Sequence, residues 1–81
     1  MREVDVIVLL ERVYREVRGI RRDLRPGDSL RDDLGLDSLA AVDLLRAVEE
    51  ELGLDLAGDD RVLEVQTVSD VVALVLSHRT P

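Results

Sequence analysis

The chain has 81 residues, about half of them apolar, no cysteine and one aromatic residue, Tyr14. That bounds it to one small domain with an aliphatic core, without a disulfide framework or a thiolate metal site. The net charge of −7 divides into +2 over residues 1–26 and −9 over residues 27–81; nucleic acid is thereby disfavoured as a partner, and proteins with basic patches are favoured.

The first predicted element is an amphipathic helix over residues 4–18. Val6, Ile7, Leu10, Val13, Tyr14 and Val17 recur at helical steps on one narrow arc, while Glu11, Arg12, Arg15, Glu16 and Arg18 fall elsewhere. Gly19 is its expected stop. Tyr14 is expected in the core with its hydroxyl near the surface. Acidic Glu3 and Asp5 and the short apolar run after them do not make a signal peptide, and no run is long enough to span a membrane. Cytoplasm is the default location, and no membrane partner is expected.

Residues 20–37 read as a long loop with a turn at Pro26-Gly27-Asp28-Ser29 and core anchors at Leu30, Leu34 and Leu36. A loop of this length is usually functional or tied down. The second helix begins at Asp37 or Ser38 and ends near Leu52, with Gly53 as its stop. At about 100° per residue it has two arcs. Ala40, Ala41, Leu44, Leu45, Ala47, Val48 and Leu52 can be buried; Ser38, Leu39, Val42, Asp43, Arg46, Glu49 and Glu50 face outward. Arg46 has Asp43, Glu49 and Glu50 at pairing distance along the helix. Asp59 or Asp60 can cap a short third helix over residues 61–65. Thr67-Val68-Ser69-Asp70 fits a capping box that opens a last helix to about His78, with Val68, Val71, Val72, Val75 and Leu76 on one arc. His78 is given no role, and residues 79–81 are expected to fray. The expected fold is all-α: a small four-helix bundle of three longer helices and one short one, with the long loop between the first two.

Two chemistries fail on spacing. Ser38 lacks the glycines of a nucleophile elbow and His78 lies far along the chain, so no catalytic residue is assigned. The acidic clusters Asp28/Asp32/Asp33/Asp37 and Glu51/Asp55/Asp59/Asp60 do not match a calcium-binding loop, so no metal site is assigned. What remains is a hydroxyl at the start of a helix, beside an exposed arc of two aliphatics and several charges. Backbone N–H groups and the helix dipole favour a phosphate there.

The run Asp33-Leu34-Gly35-Leu36-Asp37-Ser38-Leu39, followed by Val42-Asp43-Leu44 and Glu49-Glu50-Glu51-Leu52-Gly53, resembles an acyl carrier protein of the phosphopantetheine-dependent family. The resemblance covers nearly the whole chain, read as a single acyl carrier domain over residues 1–81. It implies a 4′-phosphopantetheine arm on Ser38, placed there from coenzyme A by a separate transferase, and acyl groups carried on the arm's thiol between partner enzymes. The carrier itself would not be an enzyme. Gly35 would allow the sharp turn before the site, and Asp37 would cap the helix and take part in recognition by the magnesium-dependent transferase. Leu39 and Val42 would form the apolar centre of a docking patch; Asp43, Arg46, Glu49 and Glu50 would form its charged rim, read by acyl-loading enzymes, ketosynthases or other enzymes with basic patches. Glu49 and Glu50 are expected to tolerate charge reversal without loss of fold.

Two departures from fatty-acid members, Ala40 after Leu39 and Arg46 on the docking arc, lower the negative charge near the arm. They point to a polyketide or other natural-product pathway over general fatty-acid synthesis. A peptidyl or aminoacyl carrier is the alternative; Leu36-Asp37 and the strong acidity lean away from it. A small helical interaction module without a prosthetic group is the remote alternative. A free-standing monomer is expected.

Overall fold

Periodicity becomes helix in three places: α1 (Glu3–Arg18), α2 (Ser38–Leu52) and α3 (Val68–Arg79). The structure is a computed structural model that describes residues 1–79; Thr80 and Pro81, part of the expected tail, lie outside the described residues. The expected fourth helix is a 3₁₀ turn over Asp60–Glu64. The fold is therefore all-helical with three α-helices, and the four-helix count is corrected. Five residues between the Asp59 cap and an extended Val65 form too short a stretch for repeated α-type bonds, and the tighter 3₁₀ bond suits such short pieces.

Each α-helix is closed by local chemistry. Asp5 accepts the Arg2 N–H at the start of α1 (2.8 Å). Gly19 and Gly53 take the left-handed conformation that ends α1 and α2. At α3 the capping box is reciprocal: Thr67 Oγ1 accepts the Asp70 N–H (3.2 Å) and Asp70 accepts the N–H groups of Thr67 (3.0 Å) and Gln66 (2.9 Å).

α1 packs against both α2 and α3, so its buried arc is wider than the narrow one expected: Leu9 joins Val6, Leu10, Val13 and Tyr14 in the core, while Ile7 and Val17 pack at its edge. On α3 the 3₁₀ turn covers a further side, and Leu74 is buried with Val68, Val71, Val72 and Val75. The core is aliphatic apart from Tyr14. Its hydroxyl is buried, not near the surface as expected: it donates to the Leu34 carbonyl at 2.8 Å. A buried phenol needs such a partner.

The long loop is tied down along its length. Leu24, Leu30, Leu34 and Leu36 are buried. Glu11 accepts the Leu24 N–H (2.9 Å), and Arg22 donates to the Asp33 carbonyl (2.8 Å). Asp28 and Asp33 accept the N–H groups of Arg25 (2.9 Å) and Ser29 (2.6 Å). Beyond the Pro26-Gly27 turn the loop meets the start of α3. Leu30 N–H reaches Gln66 O (2.9 Å), Val68 N–H reaches Asp28 O (3.0 Å), and Ser29 and Thr67 form an isolated bridge.

Candidate functional site

The approach to Ser38 is pinned on both sides of Gly35. Leu34 and Leu36 are each buried; the Leu34 carbonyl receives the Tyr14 hydroxyl, and Leu36 N–H bonds to Leu30 O (2.8 Å). Between them the chain reverses through φ +66° at Gly35. A side chain there would have ordinary clearance, 3.9 Å to the Arg18 guanidinium, so backbone conformation and not crowding calls for glycine.

Asp37 is the N-cap of α2, its Oδ1 accepting the Ala40 N–H at 2.8 Å. Ser38 is thereby the first residue of the helix. It is exposed, and its hydroxyl has no hydrogen-bond partner among the described residues. The N–H groups of Ser38 and Leu39 are also without partners, since capping by Asp37 reaches Ala40 and Ala41. The donor set is therefore a free hydroxyl at the positive end of a 15-residue helix, which suits an ester-linked phosphate.

Outward from Ser38, Leu39 is 72% exposed and Val42 49%. Asp43, Arg46 and Glu50 are exposed on the same side. Arg46 forms none of the pairs that its spacing allowed, and no other partner holds it among the described residues. Glu49 differs from its neighbours. It is half-buried, and its Oε2 accepts the N–H groups of Leu56 (2.7 Å) and Ala57 (3.0 Å), holding the connector beyond α2. The expectation that Glu49 could be reversed without disturbing the fold is therefore corrected; Glu50 alone is free of structural contacts. Periodicity placed Glu49 on the outer arc, but the connector folds back over it.

Two further features were not read from the sequence. Leu63, on the 3₁₀ turn, is 87% exposed. It lines, with Ser38, Leu36, Ala41, Val65, Gln66 and the loop residues 29–32, an open depression of about 520 Å³. The 3₁₀ turn itself is anchored behind that wall. Asp59 caps it, binds the Arg61 guanidinium at 2.6 Å and contacts His78 Nε2 at 2.8 Å, and Arg61 also donates to Ser77 Oγ at 2.9 Å. His78 is thus half-buried and engaged in structure. Its spacing from Asp59 in sequence carried no signal of this.

A small all-helical module presenting a free serine hydroxyl at a helix start has the form of a carrier. A family profile described as the phosphopantetheine attachment site matches residues 8–75. An acyl carrier protein of Acidothermus cellulolyticus is 38% identical over 69 residues, covering 84% of this chain and 81% of the relative. One of Cyanidioschyzon merolae is 31% identical over 80 residues, covering 98% and 87%. One of Zymomonas mobilis is 43% identical over 51 residues, covering 63% and 64%. The chain belongs to the phosphopantetheine-dependent acyl carrier protein family. Its prosthetic group is covalent 4′-phosphopantetheine, and it is a carrier for enzymes, not an enzyme.

Proposed function

We propose that Ser38 is the attachment residue, and that the chain carries acyl intermediates for partners that dock on the outer arc of α2. The observation that carries this reading is the Ser38 hydroxyl: exposed and without a protein partner, in a segment whose neighbours are otherwise pinned. When bound, the arm supplies a terminal thiol on which acyl groups travel as thioesters. The chain's own residues hold its root. Asp37 fixes the first turn, the Ser38 and Leu39 N–H groups face the phosphate end, and Gly35 sets the turn that leads into it. Leu39 and Val42 offer apolar contact, and Asp43 and Glu50 offer charge to basic patches on a transferase, a loading enzyme or a ketosynthase. Arg46 and Ala40 make this surface less acidic than a fully acidic arc, which supports dedicated natural-product partners. The names of the relatives support acyl over aminoacyl cargo. Among the described residues no helix is long and apolar enough to cross a membrane.

The test is intact-mass spectrometry. Incubation with coenzyme A, magnesium and a broad-specificity phosphopantetheinyl transferase should add one phosphopantetheinyl group, and Ser38→Ala should add none. An unchanged wild-type mass, with the transferase active on a control carrier, would sink the assignment. Acyl donors should then load the arm and aminoacyl adenylates should not.

A further inference from the structure

We propose that Arg31 is the positioning residue for the arm: its guanidinium pairs with the phosphodiester on Ser38 and directs the arm along the depression between the loop and the 3₁₀ turn. This rests on Ser38 as the attachment residue. Three observations carry it. First, Arg31 and Ser38 line the same depression of about 520 Å³, a volume within the usual range of small-molecule sites (about 300–1,000 Å³). Second, Arg31 is the one cation lining it, and its guanidinium has no hydrogen-bond or ion-pair partner among the described residues. This holds although Asp32 and Asp33 adjoin it in the chain; Asp33 is occupied by the Ser29 N–H. Third, the other charged residues lining it are the carboxylates Asp32 and Asp37.

The electrostatics decide what Arg31 is for. A phosphodiester adds a permanent negative charge to residues 27–81, which already carry −9. Beside two carboxylates that charge is disfavoured unless a cation offsets it. Arg61 is not available, being held by Asp59 and Ser77. Arg46 lies two helical turns beyond Ser38 and does not line the depression. Arg31 remains, with a fork of donors suited to two phosphate oxygens at once. Past the phosphate the depression offers Gln66 and Ser29 as polar partners and Leu36, Ala41, Leu63 and Val65 as apolar wall. That mixture matches an arm of alternating amides and methylene groups.

The experiment compares amide ¹H–¹⁵N spectra of the ¹⁵N-labelled chain before and after loading, with loading confirmed by intact mass. In wild type, loading should shift Leu39 and Ala40, next to the new ester, and also Arg31, Leu63 and Gln66. In Arg31→Gln the shifts at residue 31, Leu63 and Gln66 should be lost while those at Leu39 and Ala40 persist; Arg31→Lys should keep part of them. Shifts confined to Leu39 and Ala40 in loaded wild type, or shifts at Leu63 and Gln66 that survive in Arg31→Gln, would overturn the role of Arg31 and leave attachment at Ser38 intact. A chain that gains no mass would overturn attachment itself.

Discussion

Tyr14 ties the core to the site through one bond. Its hydroxyl holds the Leu34 carbonyl, one residue before the Gly35 turn. Tyr14→Phe leaves that carbonyl buried and unpaired, at a cost of about 1–3 kcal/mol. Thermal melting should register this as a clear drop in Tm, and backbone amide exchange should quicken first at residues 34–37. Asp37 can be resolved in the same way. Asn caps a helix about as well as Asp, whereas Ala loses ~1 kcal/mol. Asp37→Ala should therefore melt lower, and Asp37→Asn should melt like wild type. If Asp37→Asn also accepts the arm more slowly, its charge serves recognition apart from capping. Glu49 and Glu50 are neighbours with opposite duties. Glu49→Ala removes an acceptor from two backbone N–H groups and should destabilise by about 2 kcal/mol. Glu50→Arg should lose no stability to urea while raising the KM of partner enzymes. Equal stability losses in both variants would mean that the connector does not rest on Glu49.

The helices were legible because each is specified by neighbours in sequence: apolar periodicity, a capping side chain within a few positions, and a glycine at the end of α1 and α2. The serine's position was legible for the same reason. Features set by distant partners were not. Tyr14 and Leu34 are 20 positions apart and Asp59 and His78 are 19 apart; no local pattern announces either contact. The short third element was legible from its length and its Asp59 cap, but not its 3₁₀ form, which the extended backbone at Val65 cuts short. That turn and α3 form a unit held by two carboxylates. The Arg61 guanidinium and N–H, followed by His78, hold the Asp59 carboxyl well below the usual range; the N–H groups of Gln66 and Thr67 lower that of Asp70. Both groups favour the folded state in their ionised form. Their contribution is full above the unfolded carboxylate value of about 4 and fades as pH falls through the lowered folded values. Tm should therefore decline on acidification below about pH 4. The acid limb should be shallower in Asp70→Asn, which has no such proton to take up. Parallel limbs in the two proteins would mean that the α3 cap does not hold its carboxylate ionised.

Across the whole molecule charge is segregated, and the segregation opposes folding. Residues 27–81 carry −9 within a body whose extents are 33 × 23 × 22 Å. Many of those carboxylates lie within about two Debye lengths of one another at physiological salt, where the Debye length is ~8 Å. The guanidinium groups of Arg15, Arg18, Arg21 and Arg25, in the basic segment, have no carboxylate partner among the described residues and do little to relieve the acidic side. Among the described residues three ion pairs act the other way: Arg12–Glu51, Arg22–Asp28 and Arg61–Asp59. Exposed pairs such as Arg12–Glu51 contribute only about 0–1 kcal/mol each, and the shortest contacts at Asp59 are local enough to resist screening. Added salt should therefore relieve more repulsion than it removes attraction. Raising ionic strength from about 0.01 to about 0.1 M shortens the Debye length from ~30 to ~10 Å, and Tm should climb across that range. The same series on Glu50→Arg should start higher and climb less, because one carboxylate of the acidic side has become a cation. A flat or falling series in wild type would mean that the ion pairs, and not the repulsion among the acids, set the electrostatic balance of the fold.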